Sequence, residues 1–212
     1  MNAPGRAPRV LLALLAGLLA GCSSLLGGAP RQATRVYDPA PALQPADPAW
    51  PSVGWSLSLT ASSDSALLDG QRLLVSPGGE ELQPYRGVAW ARAPTAMVES
   101  AVLRTLEDSG KILAVARSGS GQAAEYRLLL EVRRFQAEVA GGPSVRIEVG
   151  AKLLKVDAMA IAGSRSFEVR QAAASDHADA LAAAFASALG RLGHDIAGWT
   201  LATGQAPSAP LR

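Results

Sequence analysis

Two long alternations of apolar and charged residues dominate the second half of the chain. Tyr126, Leu128, Leu130 and Val132 share one parity against Arg127, Glu131 and Arg133, and Val145, Ile147, Val149, Ala151 and Leu153 oppose Arg146, Glu148 and Lys152. Side chains alternate across a strand, so both segments predict strands with one buried face and one wet face. Gly141-Gly142-Pro143 between them predicts a hairpin turn. The parity slips between Val132 and Phe135, which predicts a bulge or a strand end there. A turn near Ala162-Gly163 and a third strand over 164–171, carrying Phe167 and Val169, complete an antiparallel meander.

Upstream, Trp55, Leu57 and Leu59 alternate with serines and predict a strand over 55–60. Shorter strands are expected over 71–76, ended by Pro77-Gly78-Gly79, and over 87–91. Pro94 then stands where the first residue of a helix belongs, and Val98, Val102 and Leu106 form a stripe with Met97 and Ala101 beside it. Gly110 supplies the left-handed stop, and a strand over 112–116 follows at once. The last element is a helix with Ser175 as its expected N-cap and Asp176 and Asp179 near its positive end. Leu181, Phe185, Leu189, Leu192, Ile196 and Trp199 recur at three- and four-residue spacing. Gly190 and Gly193 each cost about 1 kcal/mol against alanine, so burial of the stripe has to hold this helix. The pattern predicts an α/β (α+β) fold, a mixed, largely antiparallel sheet with two main helices packed on it, in one domain.

The N-terminus has a different texture. Arg6 and Arg9 precede an apolar run from Val10 to Ala20, and Leu19-Ala20-Gly21-Cys22 closes it. The run is shorter than the roughly 20 apolar residues that span a bilayer. It resembles a bacterial lipoprotein signal, with residues 1–21 removed and Cys22 lipidated, so the mature protein is expected to be anchored to a membrane. Ser23 and Ser24 follow Cys22 with no aspartate, which resembles the pattern of lipoproteins sorted to the outer membrane. Residues 22–52 are rich in Pro, Ala and Gly and read as a flexible linker. Some thirty such residues reach on the order of 30 Å as a coil and about 90 Å extended. The folded domain is expected over 53–201 and a disordered tail over 202–212.

Charge and chemistry narrow the function. The chain carries 20 basic and 18 acidic residues, and two of the basic ones, Arg6 and Arg9, precede Cys22, so the mature protein is close to neutral. No basic stripe speaks for nucleic acid or for an anionic membrane surface. Cys22 is the only cysteine, which excludes an internal disulfide and, once lipidated, a cysteine nucleophile. His177 and His194 lie far from the i, i+4 spacing that lets two imidazoles share a metal. Ser118-Gly119-Ser120-Gly121 lacks the strand-to-helix setting of a nucleophile elbow, and Glu80-Glu81 and Glu107-Asp108 read as solvated acids. No enzyme, no metal and no cofactor beyond the covalent lipid are expected. Tyr85 and Trp90 are large aromatics just ahead of the first helix and are candidates for a partner contact if exposed, or for the core if not.

Several segments together resemble the ABC-type transport auxiliary lipoproteins, the PqiC/YmbA-like group. They are Leu67-Leu68-Asp69-Gly70-Gln71-Arg72-Leu73, Tyr85-Arg86-Gly87-Val88-Ala89-Trp90 leading into Pro94, and Leu106-Glu107-Asp108-Ser109-Gly110, followed by Glu125-Tyr126-Arg127-Leu128, Phe135 and the Ala-rich helix to Trp199. Trp55-Ser56-Leu57 stands where the family starts with a Tyr-x-Leu strand. The resemblance implies a periplasmic, non-enzymatic partner of transport systems that contain MCE-domain proteins and inner-membrane transporter components and move lipid between membranes. It leaves a homo-oligomer open. Two alternatives stand beside it, a lipid-binding carrier and an assembly factor for another outer-membrane component.

Overall fold

The first of the two alternations becomes the hub of an eight-stranded mixed sheet. In the computed structural model, which describes residues 33–205, the order is β1 (Arg35–Tyr37), β2 (Val53–Ser62), β3 (Arg72–Ser76), β4 (Gln83–Trp90), α1 (Pro94–Ser109), β5 (Ile112–Arg117), β6 (Tyr126–Glu138), β7 (Ser144–Lys155), β8 (Ala160–Ala172) and α2 (Ala178–Gln205). One edge of β6 pairs antiparallel with β7 from end to end, and β7 pairs likewise with β8. The other edge is shared, its first half taking β2 and its second half β3, both in parallel. Beyond these, β5 adds to β2 in parallel, β4 adds to β3 antiparallel, and β1 lies parallel to β4. The two longest ladders are the antiparallel ones.

Both helices cover one face of this sheet, α1 over β2 and β5, α2 over β7 and β8, with the helices packed on each other. Leu57, Leu59, Leu128, Leu130, Val132, Ile147, Val149 and Leu153 point into that layer and are buried. The opposite face stays wet. There Arg146 and Arg170 sit side by side across β7 and β8, as do Glu148 and Glu168, a like-charge register that is unfavourable on its own. Opposite charges resolve it: Arg146 reaches Glu168 diagonally at 3.0 Å, Arg170 reaches Glu168 along its own strand at 2.9 Å, and Arg134 reaches Glu148 directly across from β6 at 3.1 Å. Hydrogen bonds from Arg170 and Arg146 lower the pKa of Glu168 from its ordinary value.

Local signals set α1. Ala93 is extended, Pro94 follows with its φ preset, and Gly110 ends the helix at φ 61. The parity slip in β6 is a bulge, with Val132 opposite Val149, Arg134 opposite Glu148, and Arg133 left over between them. The extra residue returns Phe135 to the buried face, where it stacks on Phe185 at 4.5 Å while Trp90 meets both edge-on at 6.1 and 5.2 Å.

Four expectations need correction. The β7–β8 turn falls at 156–159, with Met159 at φ 48, and Ala162 is an inserted residue inside β8 beside Gly163, which lies against Thr203 and Trp199 of α2. Helix α2 starts at Ala178, so His177, whose carbonyl accepts from Leu181 N–H at 3.0 Å, holds the cap position, and Ser175 instead accepts from His177 N–H at 3.4 Å. Residues 202–205, expected in a tail, are helical, because α2 runs to Gln205, where Tyr126 hydroxyl donates to the Gly204 carbonyl at 3.3 Å and the Trp55 ring lies against Gly204.

The largest correction concerns the linker. Residues 34–52 belong to the folded unit, which begins at Thr34. Pro39 and Pro41 are buried, Ala42 N–H donates to the Ala186 carbonyl at 2.9 Å, and Trp50 packs on His194 with ring centroids 4.5 Å apart. Local composition read this segment as solvated, but its partners lie on α2, some 140 residues away. Its start is clasped as well: Arg35 at 2.8 Å and the Tyr37 hydroxyl at 2.7 Å both donate to Asp179 Oδ1. Residues 22–32 and 206–212 fall outside the described residues, and with them Cys22 and the leader.

The glycines of α2 are seats for these neighbours. A methyl group at Gly190 would fall inside the Ala42 carbonyl, one at Gly193 would lie 2.8 Å from Thr105 Oγ1 and 2.9 Å from the Ala101 carbonyl, and one at Gly198 would press into the Trp50 ring. Helix propensity alone says Gly190→Ala stabilises by about 1 kcal/mol. The close approach reverses that sign: a net loss of about 1–3 kcal/mol is expected from overpacking, read as a lower urea midpoint. The clasp has its own test. Donation from Tyr37 and Arg35 lowers the Asp179 pKa from its ordinary 3.8. A depressed carboxylate favours the folded state above its unfolded pKa and loses that contribution as pH falls through the folded value. The protection factor of the β1 amides against exchange, taken relative to the intrinsic rate at each pH, is therefore expected to hold at neutral pH and to fall below about pH 4, and Asp179→Asn is expected to abolish that acid step.

Candidate functional site

Strand β4 departs from regular pairing where the family-like Tyr85–Trp90 segment lies. Arg72 of β3 pairs with Ala89 and Leu74 pairs with Pro84, so Leu73 alone faces the four residues Tyr85, Arg86, Gly87 and Val88. The surplus forms a wide bulge, which Gly87 turns at φ 69. Pro84, which donates no ladder hydrogen bond, sits at its foot. The bulge walls an open groove of about 500 Å³ whose other residues are Thr34, Gln71, Arg72 and Ala89.

The bulge decides what the two candidate aromatics do. Trp90 is 1% exposed, wedged against Phe135 and Phe185, and so cannot meet a partner; the core alternative holds for it. Tyr85 is half-buried and lines the groove. Arg72 and Arg86, which no motif or periodicity marks as functional beside Tyr85, stand exposed on the same wall. Their signal was present only as register, since Arg72 and Arg86 become neighbours through the β3–β4 pairing.

The remaining candidates stay apart. His177 and His194 are separated by about 25 Å along the helix axis. His194 packs on Trp50 and lies 3.9 Å from Asp195, while His177 is exposed. Glu80, Glu81, Glu107 and Asp108 are exposed, and no three His, Cys, Asp or Glu side chains gather as a metal-binding group among the described residues. A second polar cluster forms around the start of α1, where Arg92 and Arg117 both donate to Ser100 Oγ at 3.1 and 3.0 Å. Each arginine is also neutralised, Arg92 by Asp38 at 2.7 Å and Arg117 by Glu99 at 2.7 Å, so the cluster ties the N-terminal segment and β5 to the helix. The contrast between the two aromatics is measurable: Trp90→Ala is expected to cost about 3–5 kcal/mol of unfolding free energy, and Tyr85→Ala less than about 1.5 kcal/mol, in paired denaturant titrations.

Comparison with known proteins places this fold. The profile of the family described as ABC-type transport auxiliary lipoprotein component matches residues 38–197, beginning inside the segment docked on α2. A solved structure of a protein from Xanthomonas campestris is 40% identical, with a TM-score of 0.75 over 81% of this chain and 97% of that one. A further solved chain, 13% identical with a TM-score of 0.58, covering 78% of this chain and 97% of its own, shares the fold alone. An uncharacterized protein of Bradyrhizobium diazoefficiens is 27% identical over 187 residues, which are 88% of this chain and 50% of that protein, so the chain spans about half the length of this curated relative. From the N-terminal segment through the bulged β4 to the long last helix, the matched region takes in nearly the whole described fold, and the chain belongs to the ABC-type transport auxiliary lipoprotein component family.

Proposed function

We propose that the mature protein is a non-enzymatic auxiliary of a lipid transport system, held at the periplasmic face of the outer membrane by acyl chains on Cys22 and docking an MCE-domain protein and its inner-membrane transporter. The observation that carries this reading is the order of parts: Leu19-Ala20-Gly21-Cys22 stands directly ahead of a transport auxiliary domain. No helix among the described residues is long and apolar enough to cross a membrane. In this reading attachment rests on lipid, at about 0.8 kcal/mol per buried methylene, and more than one chain makes it lasting.

The order in residues 34–52 changes the mechanics. Only about a dozen residues separate Cys22 from Thr34, and even fully extended they span no more than about 40 Å. The domain is thus kept near its own membrane, and components of the other membrane must be brought to it. Tyr85, half-buried in the wall of the β4 groove, is the aromatic we assign to partner contact. A scaffold suits the fold better than a carrier does, because the layer between sheet and helices is filled by side chains such as Leu59, Val102, Ile147 and Leu189, and the grooves that line the sheet are open.

Cys22→Ala is expected to move the protein from outer-membrane fractions to the soluble periplasm, and mass spectrometry of the native protein is expected to find an acylated N-terminus. Cross-linked pull-down of the native protein is expected to recover an MCE-domain protein, at a yield reduced by Tyr85→Ala. Retention of Cys22→Ala in the outer membrane would defeat the anchor. Recovery of a stoichiometric phospholipid without an MCE protein would favour the carrier, and capture of a different outer-membrane component the assembly factor.

A further inference from the structure

Positive charge converges in the β4 groove without a counter-ion. Arg72 and Arg86 both line it, and neither has an acidic partner among the described residues. Arginines just outside it are neutralised, Arg35 by Asp179 and Arg92 by Asp38. The acids of the nearby β3–β4 turn, Glu80 and Glu81, do not line the groove, and Glu81 accepts from the Gln83 amide at 2.6 Å. Two guanidinium groups without a carboxylate offer forked donors suited to phosphate oxygens, and Tyr85 and Thr34 add hydroxyls to the same walls.

The remaining lining points to what the phosphate is attached to. Pro84, Val88 and Ala89 give the groove an apolar side, and two exposed apolar residues adjoin it, Val36 in register with Ala89 and Leu82 just ahead of β4. At about 500 Å³ it is large enough for a glycerophosphate group. Thr34, one wall of the groove, is also the point where the folded unit begins, a dozen residues from Cys22. The covalent path from the anchor therefore enters the domain at this groove.

We infer that the groove binds the phosphodiester headgroup of a lipid in the membrane to which the protein is attached. This rests on the anchoring reading for its source of lipid, but its chemistry is separable. Binding of a headgroup here holds β4 and β1 toward the bilayer.

The test uses the complete mature chain with Cys22→Ser, so that acylation plays no part. Dihexanoylphosphatidylglycerol below its micelle concentration, inorganic phosphate and dihexanoylglycerol are titrated while the arginine Nε–H signals are followed by NMR. The phosphodiester is expected to shift Arg72 and Arg86 saturably. Arg72→Gln with Arg86→Gln is expected to weaken binding at least about tenfold, and Arg127→Gln, at an exposed arginine of β6 that does not line the groove, to leave it unchanged. The site would be overturned by no saturable shift, by an equal response to dihexanoylglycerol, by response to inorganic phosphate alone, or by undiminished binding in the double variant with its fold intact by amide spectrum. Failure of this titration leaves the Cys22 anchor standing, and retention of Cys22→Ala in membranes leaves the groove standing.

Discussion

Close approach to α2 is the constraint on which the rest of the structure depends. A 28-residue helix with glycines at 190, 193, 198 and 204 is a poor helix by propensity, yet each missing Cβ admits a different neighbour: the Ala42 carbonyl, α1 at Ala101 and Thr105, the Trp50 ring and the Trp55 ring. The N-terminal segment, the other helix and the second strand are thereby gathered on one element. Burial of the Leu181, Phe185, Leu189, Leu192 and Ile196 stripe against the sheet offsets the propensity cost. The Asp179 clasp and the Ala42–Ala186 hydrogen bond then hold the N-terminal segment against this helix.

Irregularity in the strands divides the work of stability from that of function. The bulge at Arg133 serves the core, since it lets one strand present Val132 and Phe135 to the same side, and the displaced guanidinium lies over Gly150 and bonds Ser166 at 3.0 Å. The wider bulge in β4 serves the surface. It holds Trp90 in the aromatic cluster with Phe135 and Phe185 while lifting Tyr85 and Arg86 to the groove, so two residues five apart in sequence meet opposite environments.

For an auxiliary component of a transport system, the order of the N-terminal segment matters as much as the domain. A leash of thirty free residues would let the domain sample any orientation, whereas a folded unit that starts at Thr34 fixes the point at which the chain enters the domain. That point lies at the β4 groove, and the neutralised charges of the outer sheet face keep the exposed face wet and unsuited to sheet stacking.

The sequence by itself determined whatever rests on near neighbours. Pro94 and Gly110 bound α1 at both ends because their preferred dihedral angles are properties of single residues, and the alternation through β6 and β7 placed the meander and its Arg133 bulge because side-chain parity is local. The family, too, was legible in short segments such as Tyr85–Trp90. Only the tertiary structure decided the insertion of β2 between β5 and β6, the docking of the proline-rich 34–52 segment on α2, the place of the β7–β8 turn, and the presence of Arg72 and Arg86 in one groove. These depend on pairing between segments, from about a dozen to more than a hundred residues apart, and a contact between separate segments leaves no periodicity in either of them.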